Sequence, residues 1–227
     1  GIIINSDYTK YALRFNLDGK SGNFKYGVNF APSYSKSNRV NASGAYGDGG
    51  VVQSALAYNP MWPIYNEDGS FNFLGNGYWR IGNDYQHNEI LNPVALATLK
   101  KDVVERVSMT GRAFASYEFF EGFSFQTSLG GSYYSAYNEQ YSSQDLETIG
   151  KANYGMKSNP IGYASSAFQY NWLWENQLTF NRTFNDKHMV NAIPVHSMQK
   201  DTQKSMNVKA TDYPNDYIQT IGGGVVT

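Results

Sequence analysis

The feature that most constrains this sequence is a two-residue alternation of apolar and polar side chains within extended segments. The segment YNWLWENQLTF, residues 170–180, shows the alternation most clearly. Its apolar residues fall at alternate positions: Tyr170, Trp172, Trp174, Leu178 and Phe180. Successive side chains of a β-strand point to opposite faces of the sheet. The segment therefore predicts a strand with one apolar, aromatic face and one polar face.

Other segments with the same alternation come in pairs that are joined by short turns. The pairs are 10–17 with 24–30 through DGKSGN, 107–119 with 123–133 through FFEGF, and 170–180 with the run after FNDKH. Two alternating runs joined by a tight turn are typical of a β-hairpin. We therefore predict three successive antiparallel hairpins, or about six strands, in up-and-down order.

The connections between the hairpins are long, near residues 35–102, 142–166 and 199–227. The first one contains a predicted short helix, GGVVQSALAYNP, which Pro60 ends. Loops of this length are uncommon inside a soluble domain. Short turns at one edge and long loops at the other are typical of a transmembrane β-barrel, whose apolar side chains face lipid. The prediction is an all-β chain of antiparallel up-and-down hairpins that forms part of a large transmembrane β-barrel, with long extracellular loops.

A second interpretation remains open, because two-faced strands also build soluble sandwiches and jelly rolls with apolar inner faces. In that case the chain would be a secreted β-rich module that binds carbohydrate or acts as an adhesin. Six strands are too few to close a barrel around a solute, since about eight already give a filled interior. The barrel interpretation therefore requires strands beyond these 227 residues.

Composition and motifs exclude several other classes of function. Aromatic residues make up 16% of the sequence. Charged residues also make up 16%, which is below the roughly 25% of charged residues in a typical soluble domain. The formal net charge of -1 gives no electrostatic reason to bind nucleic acid. The sequence has no cysteine, no HExxH metal motif and no G-x-S-x-G nucleophile motif. We predict no catalytic residues, no metal site and no cofactor, and therefore no enzyme.

Two groups of residues are candidates for contact with a solute. Aromatic rings beside amide and charged groups suit sugar rings, although the same residues could pack the long loop or contact another protein. The loop candidates are Trp62, Tyr65, Tyr78, Trp79, Arg80 and Tyr85. On the predicted polar, lumen-facing side of the strands, the candidates are Arg14, Arg112, Glu118 and Glu175. The Asn66–Gly69 stretch of YNEDGSFNF is predicted to form a turn and not a calcium loop.

The ordered set of strand segments resembles the SusC/RagA family of TonB-dependent outer-membrane transporters of Bacteroidetes. The matching segments are DYTKYALRFNLDGKSGNFKYGVNF, NPVALATL, SMTGRAFASYEFFEGFSFQTSLGGSYY and WENQLTFNRTFNDKHMVNAI. The resemblance implies a Gram-negative outer-membrane barrel of about 22 strands that is plugged by an N-terminal domain. It also implies a SusD-like surface lipoprotein as partner, energy supplied through TonB, and import of an oligosaccharide or a peptide.

The sequence also departs from the whole-family pattern. It shows no TonB-box segment, no plug domain and no terminal strand that ends in an aromatic residue. We therefore expect residues 1–227 to be part of the barrel, without the plug domain and the remaining strands. Pro194 falls within a predicted strand, and because proline cannot donate a ladder hydrogen bond, we expect a local irregularity there.

Overall fold

The computed structural model describes residues 2–40, 50–72, 92–146, 159–185 and 187–227, and only the backbone of 78–81 and 84–87. Most of the described residues belong to strands of one antiparallel sheet. Its strands are β1 (Asp7–Ala12), β2 (Phe15–Ser21), β3 (Phe24–Asn38), β6 (Lys100–Phe120), β7 (Phe123–Ser142), β8 (Ile161–Phe184), β9 (His188–Ala192), β10 (Val195–Thr211) and β11 (Val225–Val226). A separate two-stranded sheet consists of β4 (Tyr78–Ile81) and β5 (Asp84–His87).

The strands of the main sheet follow one another as a meander. The order is β1-β3-β6-β7-β8-β10-β11, with β2 also paired to β3 and β9 also paired to β8. Every pairing is antiparallel. The predicted all-β, up-and-down hairpin arrangement is confirmed.

Two prolines divide what are otherwise continuous strands. Between β1 and β2 the ladder is interrupted opposite Pro32, although the Leu13 N–H still donates to the Pro32 carbonyl at 3.0 Å. Between β9 and β10 the interruption lies at Pro194, whose carbonyl accepts from the Leu178 N–H at 3.1 Å. Each proline lacks an N–H but keeps its acceptor, so pairing resumes on both sides. When β1–β2 and β9–β10 are each counted as one strand, the sheet has the predicted six long strands, followed by the short β11.

Three tight turns join the strands at one edge of the sheet, which we call the turn edge. Ser21 pairs with Phe24 across two residues, and Phe120 pairs with Phe123 across two more. The third turn joins Phe184 to its partner His188. Gly22 and Gly122 in the first two turns have φ of 58° and 81°, which glycine adopts without steric strain. The predicted turns are confirmed.

The long connections all lie at the opposite edge, which we call the loop edge, but their predicted limits were wrong. Strand β10 continues to Thr211, whereas a loop was expected after Gln199. Strand β3 reaches Asn38, β6 begins at Lys100 and β8 begins at Ile161. Near this edge charged and polar residues occur on both faces of the sheet, so the hydrophobic alternation is interrupted while the backbone ladder continues. Pairing of backbone groups does not require apolar side chains.

The first long connection contains helices α1 (Val51–Ala57) and α2 (Pro93–Leu99). The short helix predicted before Pro60 is thus confirmed. Buried Val51, Leu96, Ala97 and Leu146 form a small core between this connection and the residues after β7. Asn92 caps α2, because its side-chain oxygen accepts from the backbone N–H groups of the first turn. No helix within the described ranges is long and apolar enough to span a bilayer.

Candidate functional site

The register of the strands places one apolar face on the sheet. Directly paired residues form rows across the strands, since opposed side chains share a face. One row runs Leu17, Val28, Ala113, Leu129, Trp174 and Met198. Leu129 and Trp174 are 56% and 41% exposed, so no second layer of the described residues covers them. This exposed apolar face extends over all six long strands.

The opposite face is polar and carries side-chain hydrogen bonds between strands. Arg112 donates from Nη2 to the Ser128 hydroxyl at 3.1 Å and lies 3.8 Å from the Glu175 carboxylate. Nearer the loop edge, the Asn171 amide donates to the Ser132 hydroxyl at 2.7 Å. The alternation of the sequence therefore separates the two faces chemically, as predicted.

The four residues predicted to face a lumen are only partly brought together. Arg112 and Glu175 form an ion pair on the polar face. Glu118 lies near the turn edge, where its backbone carbonyl accepts from the Asn23 amide at 2.9 Å. Arg14 is exposed in the interruption between β1 and β2. Among these four residues the structure therefore shows one ion pair, between Arg112 and Glu175.

Phe114 breaks the alternation, since it lies on the polar face. A Cβ atom at Gly27 would stand 2.3 Å from the Phe114 ring and 2.4 Å from the Asp18 carboxylate. The ring therefore occupies the space above a buried glycine of the neighbouring strand. Gly27, the partner of Phe114 on β3, explains the exception. The pattern of β6 alone does not predict it.

The three tight turns are displaced along the sheet in one direction. Measured on β7, the β2–β3 turn is level with Phe125, and the β6–β7 turn ends at Phe123. Phe180 pairs with Phe123, and β8 continues four residues beyond it to Phe184. From the first turn to the third, the turns are therefore displaced by about 20 Å along the strand direction, over a distance of about 19 Å across the sheet. A strand tilt of about 45° would bring the turns into one plane, and this is the tilt typical of a closed barrel.

On five of the six long strands, the apolar face has a similar height when each strand is counted from its own turn. The first charged side chain on this face lies twelve to sixteen residues from the turn-edge end of its strand. These residues are Asp7, Lys36, Glu105, Glu139 and Lys200. Twelve to sixteen residues span about 41–54 Å along a strand, or about 29–38 Å at the inferred tilt. The first outward charges therefore lie between the limit of a hydrocarbon core roughly 30 Å thick and the outer limit of the headgroup region, about 40–45 Å.

Strand β8 has its outward charge at the other end. Arg182 lies two residues before the strand ends at Phe184, and its guanidinium stands 5.6 Å from the Phe184 ring centre. This position is next to the turn edge, where an interfacial charge is tolerated. We call the charge-free zone between the two limits the apolar belt.

A cavity of about 500 Å³ opens at the loop edge, between the sheet and the two helices. Its polar lining includes Arg39, Lys100, Asp102, Gln140 and Tyr163, and its apolar lining includes Val51 and Leu96. The Arg39 guanidinium pairs with the Asp102 carboxylate at 2.8 Å. By register, Asp102, Gln140 and Tyr163 belong to the polar face. The helices therefore cover the polar face at its loop edge and leave a chamber that could hold a polar solute.

Comparison with known proteins identifies this arrangement. No family model matches the sequence. The "TonB-dependent receptor P3" of Formosa agariphila is 30% identical over 239 residues, which cover 100% of this chain and 22% of the relative. The "TonB-dependent receptor SusC" of Bacteroides thetaiotaomicron is 25% identical over 189 residues, or 76% of this chain and 17% of the relative. The structure of the RagAB peptide transporter superposes with a TM-score of 0.70 at 11% identity, covering 96% of this chain and 23% of that one.

The chain is a SusC/RagA-like β-barrel segment. It spans about a fifth of the length of the curated relatives that it matches. The family resemblance noted on the strand segments is confirmed by these matches, and the structural likeness shows that the fold is that of part of such a barrel.

The loop aromatics of the barrel segment pack within their own loop where their side chains are described. Trp62 makes an edge contact with Tyr58 at 5.6 Å between ring centres, and Tyr65 lies 5.2 Å from Phe71. Tyr65 also pairs with Phe71 by a β-bridge around the predicted Asn66–Gly69 turn, which is confirmed. Tyr65 remains 51% exposed, so its ring has a free side.

The other loop candidates belong to the β4–β5 hairpin. Tyr78, Trp79 and Arg80 lie in β4 and Tyr85 lies in β5, where Trp79 is registered opposite Gln86. Their side chains lie outside the described residues. Their prediction as ligand contacts stays a prediction.

The sequence analysis did not predict a group of hydrogen bonds that ties Asp216 to residues 141–144 at the loop edge, which we call the Asp216 clasp. The Asp216 carboxylate accepts hydrogen bonds from the Tyr141 hydroxyl, the Ser143 hydroxyl at 2.6 Å and the Gln144 N–H at 3.2 Å. Tyr213 stacks edge-on against buried Tyr141 at 5.0 Å. Burial raises the pKa of Tyr213 above its ordinary value. Nothing in the local pattern of residues 212–224 signals these contacts, since the partners lie about 70 residues earlier.

Proposed function

We propose that this chain is part of an outer-membrane importer, with its apolar belt in contact with lipid and its polar face toward the barrel lumen. The importer takes up a nutrient oligomer, either an oligosaccharide or a peptide, and is energised through TonB. It works with a SusD-like surface lipoprotein and performs no catalysis. The similarity to TonB-dependent receptors over 97–100% of the chain supports this proposal.

The observation that carries the proposal is the similar height of the apolar belt on five of the six long strands. Strand β3 has 15 residues and β6 has 21, yet on the five long strands other than β8 the first outward charge appears twelve to sixteen residues from the turn. In a soluble sandwich, the apolar face would extend only as far as the second sheet that covers it, and it would be buried between the two sheets. Here the face is exposed, and a charge-free height of at least about 29 Å is sufficient to cross the core of a bilayer.

The proposed solute path follows the polar face to the cavity at the loop edge. The Arg39–Asp102 pair, Lys100 and Tyr163 offer both charges and a ring to an oligomer. These groups can bind sugar hydroxyls, and they can equally bind peptide amides or termini. The name of the RagAB peptide transporter, a structural neighbour, favours testing peptides beside glycans.

Fractionation of cells that express the full-length gene product tests the membrane assignment. We expect recovery with the outer membrane, together with a shift in gel mobility on heating that is typical of an intact barrel. Recovery in the soluble secreted fraction would instead support the binding-module alternative. A deletion strain grown on single oligosaccharides or peptides then identifies the solute as the one whose use is lost.

Exposed Tyr65 tests the loop candidates. We expect Tyr65→Ala to weaken binding of the identified oligomer several-fold, because the variant loses the apolar ring surface that contact with a sugar or peptide would bury. Met61→Ala is the matched control, since Met61 is 87% exposed in the same loop. Equal binding by both variants, at equal outer-membrane levels, would remove Tyr65 from the proposed site.

A further inference from the structure

One stretch of the apolar face carries basic residues at the upper limit of the belt. The outward residues of β10 at this level are Lys200, Thr202 and Lys204, which pair with Trp172, Tyr170 and Phe168 of β8. We call these six residues the lysine–aromatic ladder. The Lys204 ammonium stands 6.0 Å from the Phe168 ring centre, which confirms that both side chains lie on the same face.

The two lysines differ from the other charges at this height. On the neighbouring strands, Lys36 pairs with Glu105 at 2.9 Å, and Lys101 pairs with Glu139 at 3.0 Å. The ion pairs found among the described residues do not include Lys200 or Lys204. Opposite the lysines stand aromatic rings, so this part of the face has two positive charges beside a row of rings.

The position of the ladder relates it to a membrane surface. Lys200 lies twelve residues after His188, which is about 29 Å above the turn edge, and Lys204 lies about 10 Å higher. This inference rests on the proposed function, in which the belt meets lipid and the loop edge faces outward. The ladder then lies at the level of the outer-leaflet headgroups. Lysines near that surface attract anionic lipid groups.

We propose that the lysine–aromatic ladder binds the phosphorylated glycolipid of the outer leaflet. The lysines bind its phosphates, the rings of Tyr170 and Phe168 contact the C–H faces of its sugars, and Trp172 contacts the start of an acyl chain. A height of about 10 Å between the two lysines fits a headgroup of several sugars better than a single glycerol phosphate. Lysine and aromatic residues together recognise both the charge and the sugar of such a lipid.

The direct test measures binding of lipid A to the full-length protein, purified in an uncharged detergent. Native mass spectrometry compares phosphorylated lipid A with the same lipid after enzymatic removal of its phosphates. We expect a preference for the phosphorylated form, which weakens as salt is raised because exposed charges are screened. Equal binding of the two lipids would overturn the proposal, since the two lysines would then not bind the phosphates.

Variants assign the effect to the ladder. The double variant Lys200→Gln with Lys204→Gln is expected to lose roughly 10- to 30-fold in affinity for phosphorylated lipid A, given two surface lysines. Lys36→Gln is the matched control, because Lys36 lies at the same height but is already paired with Glu105. An unchanged double variant, or an equal loss in Lys36→Gln, would show that the ladder does not hold the lipid.

The failure of this inference can be told from failure of the proposed function. Each variant and the parent protein are first checked for outer-membrane recovery and for the heat-dependent mobility of a folded barrel. A parent protein that is absent from the outer membrane contradicts the proposed function, and the ladder with it. If the protein is folded in the outer membrane but its lipid binding does not depend on Lys200 and Lys204, only the inference about the ladder is contradicted.

Discussion

An arginine in place of Leu129 is expected to destabilise the barrel in a bilayer by about 2–4 kcal/mol, the known range for a lipid-facing arginine at the midplane. Leu129 lies six residues after Phe123, which is about 20 Å along the strand and about 14 Å above the turn edge. The middle of a hydrocarbon core roughly 30 Å thick lies about 15 Å from its edge, so position 129 is near the midplane. The residues opposite it, Ala113 and Trp174, offer no carboxylate to the new charge.

The measurement is reversible denaturant unfolding of the full-length protein in phospholipid vesicles. A loss of 2–4 kcal/mol corresponds to roughly 30- to 700-fold in the ratio of folded to unfolded protein. Gln126→Arg is the control, since Gln126 lies on the polar face of the same strand, opposite Ser116 and Gln177. Equal free energies of unfolding for Leu129→Arg and Gln126→Arg would refute the assignment of the two faces.

Three further predictions concern the loop edge and the polar face. Tyr213→Phe should leave the free energy of unfolding unchanged or raise it by about 1 kcal/mol, because the buried Tyr213 hydroxyl has no hydrogen-bond partner among the described residues. Burial also raises the pKa of Tyr213, so the parent protein should lose stability above a pH of about 10, and the variant should lose less. Asp216→Ala should speed amide hydrogen exchange at 141–144 by an amount equivalent to about 2–3 kcal/mol, whereas Asn215→Ala should not. A double-mutant cycle on Arg112 and Glu175 should give a coupling below about 1 kcal/mol, because both side chains are more than a third exposed; a larger value would contradict the screened pair inferred here.

The alternation of side chains was sufficient to predict the six strands, their order and their turns. It was sufficient because one face must remain apolar over the whole belt, and a shift of one residue would reverse every side chain. The prediction failed at Gln199, where β10 continues to Thr211. Lys200, Thr202 and Lys204 interrupt the apolar face of β10, and only the short run of Met206, Val208 and Ala210 resumes the alternation before the strand ends.

The candidate site was harder to predict because its contacts join distant parts of the chain. Arg112 and Glu175 could be assigned to one face by counting along their own strands. The Asp216 clasp and the space above Gly27 that Phe114 fills depend on neighbours that only the register reveals. The basic pair Lys200 and Lys204 was assigned to a loop from the sequence, and its outward position appears only once β10 is paired with β8.

The central claim is that the apolar face of these strands contacts hydrocarbon, and a spin-label scan of β7 tests it most directly. Single cysteines at 124–134 are placed in a cysteine-free version of the full-length protein, which is reconstituted in vesicles; residues 1–227 themselves contain no cysteine. The account predicts that collision with oxygen is high at odd positions and peaks near Leu129, while collision with a water-soluble nickel chelate is high at even positions. Equal access of both reagents at odd and even positions, or oxygen maxima at even ones, would contradict the account.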